Sequence, residues 1–220
     1  MESALTFLKS LKANNNREWF NENKGWFQKS SEEFKSFTNL LIAGINEFDN
    51  SVGPVDPKDC IFRIYRDVRF SPNKDPFKTN FGAYIAKGGR KSPYAGYYFH
   101  LDTEESFSSG GIYMAPSEVM KRIREDIDLY PEEFLAIVNE KNFKETLQFF
   151  DGEKLKRVPQ GFDKDSPVAE YLKLKYITVY HGLSEKDIAD KDLLKKTLII
   201  LQSIKPLVDF LNRSIRGLNE

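Results

Sequence analysis

The sequence predicts an α+β fold: an antiparallel sheet from the middle of the chain, flanked by N-terminal and C-terminal helices. Three observations carry this. Apolar residues recur at helical spacing before residue 50 and again after Pro116, but alternate between residues 60 and 114. The alternating runs are joined by short segments, which favour antiparallel neighbours because a parallel crossover needs about a dozen residues or more. The order helices, strands, helices also fits α+β better than a doubly wound chain.

Leu5, Leu8 and Leu11 define the first helix, and Asn14-Asn15-Asn16 breaks it and supplies a cap for the next segment. Phe34, Phe37, Leu41, Ile45 and Phe48 form one apolar stripe, the core face of a second helix. Gly53-Pro54 and Asp56-Pro57 end it and open a loop. Cys60, Phe62 and Ile64 then alternate with Ile61, Arg63 and Tyr65, which is strand spacing. Phe81–Ala86, Tyr97–Leu101 and Gly111–Met114 read as three further strands, with turn material at Gly88–Pro93.

Beyond Pro116, Val119, Met120, Ile123 and Ile127 lie along one helix; after Tyr130-Pro131, Phe134, Leu135 and Val138 begin another. Asp151-Gly152 and Pro159-Gln160-Gly161 are loop signals. Tyr176–Tyr180 predicts a late strand stopped by His181-Gly182, and Ser184 with Asp187 a helix cap. Leu193–Leu211 is helical in pattern, with Pro206 expected to kink or split it.

At 220 residues and 25.5 kDa, the chain is long enough to bury roughly 70% of its surface around one core. A single domain over residues 1–220 is expected. The lone Cys60 excludes an internal disulfide or a cysteine-rich zinc site and fits a reducing compartment. The N-terminus lacks a basic, apolar leader, and no apolar run approaches the ~20 residues of a membrane helix. A sequence pI of 6.8 argues against a dedicated nucleic-acid binder. These readings point to a cytoplasmic protein without a membrane partner. The glycine pairs Gly88-Gly89 and Gly110-Gly111 match neither the dinucleotide fingerprint nor the phosphate-binding loop, so no cofactor is indicated. No metal-ligand spacing occurs either, and the acidic Asp102, Glu104 and Glu105 read as a solvated turn.

The zero net charge conceals a local imbalance. Residues 60–91 hold eight basic side chains against two acidic ones, leaving +6 there and −6 elsewhere. Arg63, Arg66 and Arg69, with Lys74 and Lys78 behind them, make a plausible oxyanion clamp, since guanidinium forks match phosphate and carboxylate. A structural ion-pair network is the competing reading. Adjacent strand residues face opposite ways, so Arg66 is expected to be structural, held by a core-side carboxylate, with Asp67 fixing at least one arginine.

If each strand is regular, Phe62, Ile64, Phe81, Ala83, Ile85, Tyr97, Phe99, Leu101, Ile112 and Met114 share the apolar face. Arg63, Tyr65, Tyr84, Tyr98, His100, Asp102 and Tyr113 share the other, which looks like the floor of a polar cleft. Tyr98, His100 and Asp102 could there form a relay. The expected site residues are therefore Arg63, Arg66, Asp67, Arg69, Lys74, Lys78, Tyr98 and His100, taking an anionic small molecule, phosphorylated or carboxylated. These residues do not by themselves name a reaction. The alternative is a non-catalytic module whose segment 60–91 docks an acidic protein partner; nucleic acid is disfavoured by the −6 carried elsewhere.

Arg63, Arg66, Asp67, Arg69 and Phe70, then Asn73, Lys74, Phe77 and Lys78, resemble the hallmark of an uncharacterised, mainly bacterial family catalogued as domain of unknown function twenty-four sixty-one. The resemblance extends to Asn14–Phe20, to Gly110–Tyr113 with Pro116, and to Pro159–Phe162, and so covers nearly the whole chain. It implies membership but no activity. One departure stands out: Phe77 occupies the position of the usual tyrosine, so ring packing is retained and any role for a phenol is not.

Overall fold

The computed structural model describes residues 1–149 and 154–216; the loop signal at Asp151-Gly152 lies outside them. Helix α1 (Glu2–Ala13) buries Leu5, Leu8 and Leu11, as their spacing requires. The asparagine run then ends it, and the Asn16 side chain accepts the Trp19 N–H at 2.9 Å to cap α2 (Arg17–Glu22). Helix α3 (Lys24–Phe48) buries Phe34, Phe37, Leu41 and Ile45 of the expected stripe. Asp56 and Pro57 do more than open a loop: the aspartate caps, and the proline begins, a short helix α4 (Pro57–Cys60).

The next stretch departs from the expected strand. Residues 60–65 do not form one; Ile61 and Tyr65 make only isolated bridges, to Ala83 and Phe77. The Arg66 N–H reaches the Pro76 carbonyl at 3.0 Å, but Pro76 has no N–H to return, so a ladder cannot propagate. The segment instead folds back on itself beside β1 (Asn80–Ile85).

A single 3₁₀ turn (Gly89–Lys91) leads to β2 (Gly96–Asp102) and β3 (Ser106–Ile112). The strand expected at Gly111–Met114 therefore begins five residues earlier and ends before Met114, which has positive φ and is 75% exposed. Its sequence, Ser-Phe-Ser-Ser-Gly-Gly-Ile, hides it because small residues replace the apolar alternation. At Gly110 space demands it: a Cβ there would lie 2.7 Å from Ile204 of the last helix.

Helices α5 (Ser117–Leu129), α6 (Pro131–Val138) and α7 (Lys141–Thr146) precede a two-residue strand, β4 (Gln148–Phe149). After α8 (Ala169–Leu172), strand β5 (Ile177–Leu183) runs through His181-Gly182 rather than stopping there. Gly182 pairs with Phe107, and a Cβ there would meet nothing within 4 Å, so this glycine marks no turn. Ser184 and Asp187 form a reciprocal capping box on α9 (Glu185–Ala189). Helix α10 (Leu193–Ile215) continues through Pro206, which does not split it. Pro206 and the i−4 residue Gln202 are exposed, so solvent can satisfy the freed carbonyl, while buried Ile204, Leu207, Val208 and Phe210 hold the helix in place.

The fold is thus α+β, with a five-stranded sheet of order β1-β2-β3-β5-β4 whose neighbours are all antiparallel. Helices α1, α3 and α10 cover one face. Phe81, Ala83, Ile85, Tyr97, Phe99 and Leu101 are buried beneath them, as the alternation requires. Phe62 departs from that set, being 37% exposed on the opposite side. Among the described residues no helix is long and apolar enough to cross a membrane.

Candidate functional site

The face turned away from these helices carries a cleft of about 600 Å³. Antiparallel pairing sets Tyr84 of β1 opposite Tyr98 of β2, and two-residue periodicity places His100 on the same side as Tyr98. Phe107 of β3 and Thr178 of β5 extend this floor. Tyr94, Tyr113, Pro116 and Tyr176 line its rim.

Gly82 makes the floor possible. A Cβ at this position would overlap the Tyr98 hydroxyl, so the tyrosine ring lies across a bare stretch of β1. From there the Tyr98 hydroxyl contacts His100 Nδ1 at 2.9 Å, and His100 Nε2 faces Asp102 Oδ2 at 3.7 Å. The tautomer that satisfies all three has the phenol donating to Nδ1 and the Nε2–H directed at the carboxylate. Phe107 stacks on the imidazole at 4.6 Å and fixes its plane.

Burial pushes the Tyr98 phenol well above its ordinary pKa, and the Asp102 charge adds to it. The phenol is therefore a protonated donor at neutral pH. Burial also works against the Asp102 carboxylate, but His100 and the backbone N–H groups of Glu104 and Glu105 outweigh it, so its pKa falls. Tyr84 is likewise raised by burial, and its hydroxyl donates to the carbonyls of Tyr94 and Gly111 at 2.8 and 3.2 Å.

The charge lining the cleft is positive. Lys78 sits half-buried with its ammonium 5.6 Å from the centroid of the Phe62 ring. Burial, and secondarily the charge of Arg63, lowers its pKa. Arg90 donates one bond to the Lys58 carbonyl at 2.8 Å and leaves other donors available. Among the described residues, no Asp or Glu lines the cleft. Thr178 is 7% exposed, and its buried hydroxyl has no hydrogen-bond partner among the described residues.

Of the expected site residues, the structure brings Lys78, Tyr98 and His100 together in this cleft. Arg63 is exposed outside its lining. Asp67 holds Arg69 through two nitrogens, at 2.9 and 2.6 Å, on the open surface. Lys74 donates to the Val68 carbonyl at 3.1 Å. Among the described residues Arg66 does not have the expected carboxylate partner; its guanidinium reaches the Ser71 hydroxyl at 3.2 Å and lines a separate, smaller pocket. The irregular backbone of this segment explains the difference, because alternation of faces applies only to a regular strand.

Sequence reasoning missed Arg90, Thr178 and Gly82 as parts of the site. Gly82 carried a signal, an isolated glycine inside a strand pattern. Thr178 carried none before the β3–β5 pairing was known.

Residues 3–210 match the family of conserved hypothetical proteins DUF2461. The chain belongs to that family. No curated protein and no solved structure matches it. In this DUF2461 member Phe77 is buried and stacks on Phe20 at 4.0 Å, with Tyr65 packed beside it at 5.5 Å. The ring at position 77 thus serves packing. The Asn15 side-chain amide clamps the Phe77 peptide, donating to its carbonyl at 3.0 Å and accepting its N–H at 3.2 Å. That clamp joins the asparagine run to the arginine-rich segment 62 positions away.

Proposed function

We propose that the sheet cleft binds an anionic small molecule, phosphorylated or carboxylated, with Lys78 and Arg90 receiving its charge. The observation that carries this reading is a concave lining with two cations and, among the described residues, no carboxylate. The aromatic walls supply apolar contact area, and the Tyr98 phenol, oriented by His100 and Asp102, offers a fixed donor. A volume of about 600 Å³ suits a metabolite rather than a bare ion.

Thermal melts against a panel of phosphorylated and dicarboxylate metabolites test the proposal. A true ligand at 100 times its Kd adds about 2.7 kcal/mol of stability, which for a chain of this size raises Tm by roughly 5–10 °C. Lys78→Met and Arg90→Met should each weaken binding about tenfold or more, the worth of one charge-assisted hydrogen bond. A panel without a stabilising ligand, or variants that bind as tightly as wild type, would remove the basis for the site. A second reading, docking of an acidic protein by segment 60–91, is favoured by Phe70, which is 95% exposed beside Arg69. Docking through that surface should be lost on Arg69→Gln or Phe70→Ala, neither of which lines the cleft, whereas ligand binding in the cleft should not change, so these variants separate the two.

A further inference from the structure

We propose that a second pocket, formed by Arg17 and Arg66, is a binding site for a phosphate-class oxyanion, independent of the sheet cleft. The pocket has a volume of about 220 Å³, below the ~300 Å³ typical of a metabolite site. It suits a free anion or one head group. Arg17 opens α2, whereas Arg66 belongs to the irregular segment before β1, so the fold brings together two guanidiniums distant in the chain. Asn21 and Tyr65 add polar atoms to the wall, and Phe20 and Phe77 form its apolar base.

Three features distinguish this pair from ordinary surface arginines. First, among the described residues neither Arg17 nor Arg66 has an acidic partner, and no carboxylate lines the pocket. Two like charges facing one cavity repel, and a bound anion turns that cost into attraction. Second, two neighbouring cations of the same segment are engaged locally: Asp67 takes Arg69 in a two-point ion pair, and Lys74 donates to the Val68 carbonyl. Among the described residues the Arg66 guanidinium donates one hydrogen bond, to the neutral Ser71 hydroxyl, so most of its five donors stay unused. Third, the pocket is preorganised. The Asn15 clamp fixes Phe77, Phe77 stacks on Phe20, and the Arg66 N–H is tied to the Pro76 carbonyl at 3.0 Å. A guanidinium held on so constrained a frame loses little freedom on closing its fork around a phosphate.

The experiment is titration of the full chain with inorganic phosphate, and separately with phenyl phosphate, monitored by amide NMR and calorimetry. Saturable binding is expected, with shifts centred on Asn21, Tyr65 and Phe77 and weakening as salt is raised. Arg17→Gln and Arg66→Gln should each reduce affinity at least tenfold, and Arg66→Lys should restore only part of it, because the charge returns without the fork. Lys78→Met, which disables the sheet cleft, should leave this affinity within twofold, so failure here and failure of the cleft reading are distinguishable. Arg17 is exposed, and its variant should melt like wild type. Absence of saturable binding, or binding that depends on Lys78 and ignores both arginine variants, would overturn the proposal.

Discussion

A β-carbon at position 82 would collide with the Tyr98 hydroxyl, and the nearest relief is to push the tyrosine ring off β1. Tyr98 would then lose the 2.9 Å contact that orients His100. Gly82→Ala is therefore expected to cost roughly 1–3 kcal/mol through overpacking and to shift the His100 ring resonances. It should also weaken any cleft ligand without touching the cations. Urea melts together with imidazole NMR check this; unchanged His100 signals would show that Tyr98 has room to move. At this scale the sequence was partly legible. Cys60 reads as a small buried hydrophobe and is one, its thiol pushed up to about 11 mainly by burial. Phe62 reads as core and instead turns toward the cleft, because its side is set by how an irregular segment meets β1, and periodicity carries no information about that.

Elements were legible where side chains keep a period and hidden where space dictates small residues. The stripe of α3 and the alternation of β1 and β2 are visible because each buries a full apolar face. Strand β3 is not, since small residues replace its apolar alternation, and at Gly110 the close approach of α10 leaves no room for a Cβ. The segment from Phe62 to Lys78 is the opposite case, a strand-like pattern that cannot complete a ladder beside Pro76. That segment is held by the Asn15 amide, which makes two hydrogen bonds to the Phe77 peptide. Asn15→Ala should leave both Phe77 groups without these partners, costing about 1–3 kcal/mol. The loss should be local as well as global, with faster amide exchange at Phe77 and Lys78 than at Phe99 in the sheet. Equal acceleration at all three would mean that the clamp acts only through overall stability.

At the scale of the whole molecule, one cluster of buried side chains extends from Ala4 in α1 to Ile215 in α10. Unfolding should therefore be cooperative, with tryptophan fluorescence from Trp19 and Trp26 tracking the far-ultraviolet dichroism of the whole chain. The pH dependence of that transition has a definite sign. Among the described residues, the carboxylates of Asp56, Asp67, Asp102, Glu133, Glu170, Asp187 and Asp190 are lowered by their partners. A depressed folded pKa means that the unfolded chain binds more protons, so these groups stabilise above the ordinary carboxylate range and that contribution disappears as pH falls through the folded values. Stability should accordingly be level from neutrality to about pH 5 and drop below about pH 4. Most of these carboxylates are exposed, where pairing is weak and salt screens it. Asp102 is the least exposed of the seven, its side chain 16% exposed beside His100, so its share should persist in high salt. Urea melts between pH 2.5 and 7 in ~0.5 M salt, where the Debye length is only a few ångströms, isolate that share. Asp102→Asn should then flatten the acid limb relative to wild type. Superimposable slopes would show that Asp102 carries no linked proton, and the relay from Tyr98 through His100 would lose its anchor.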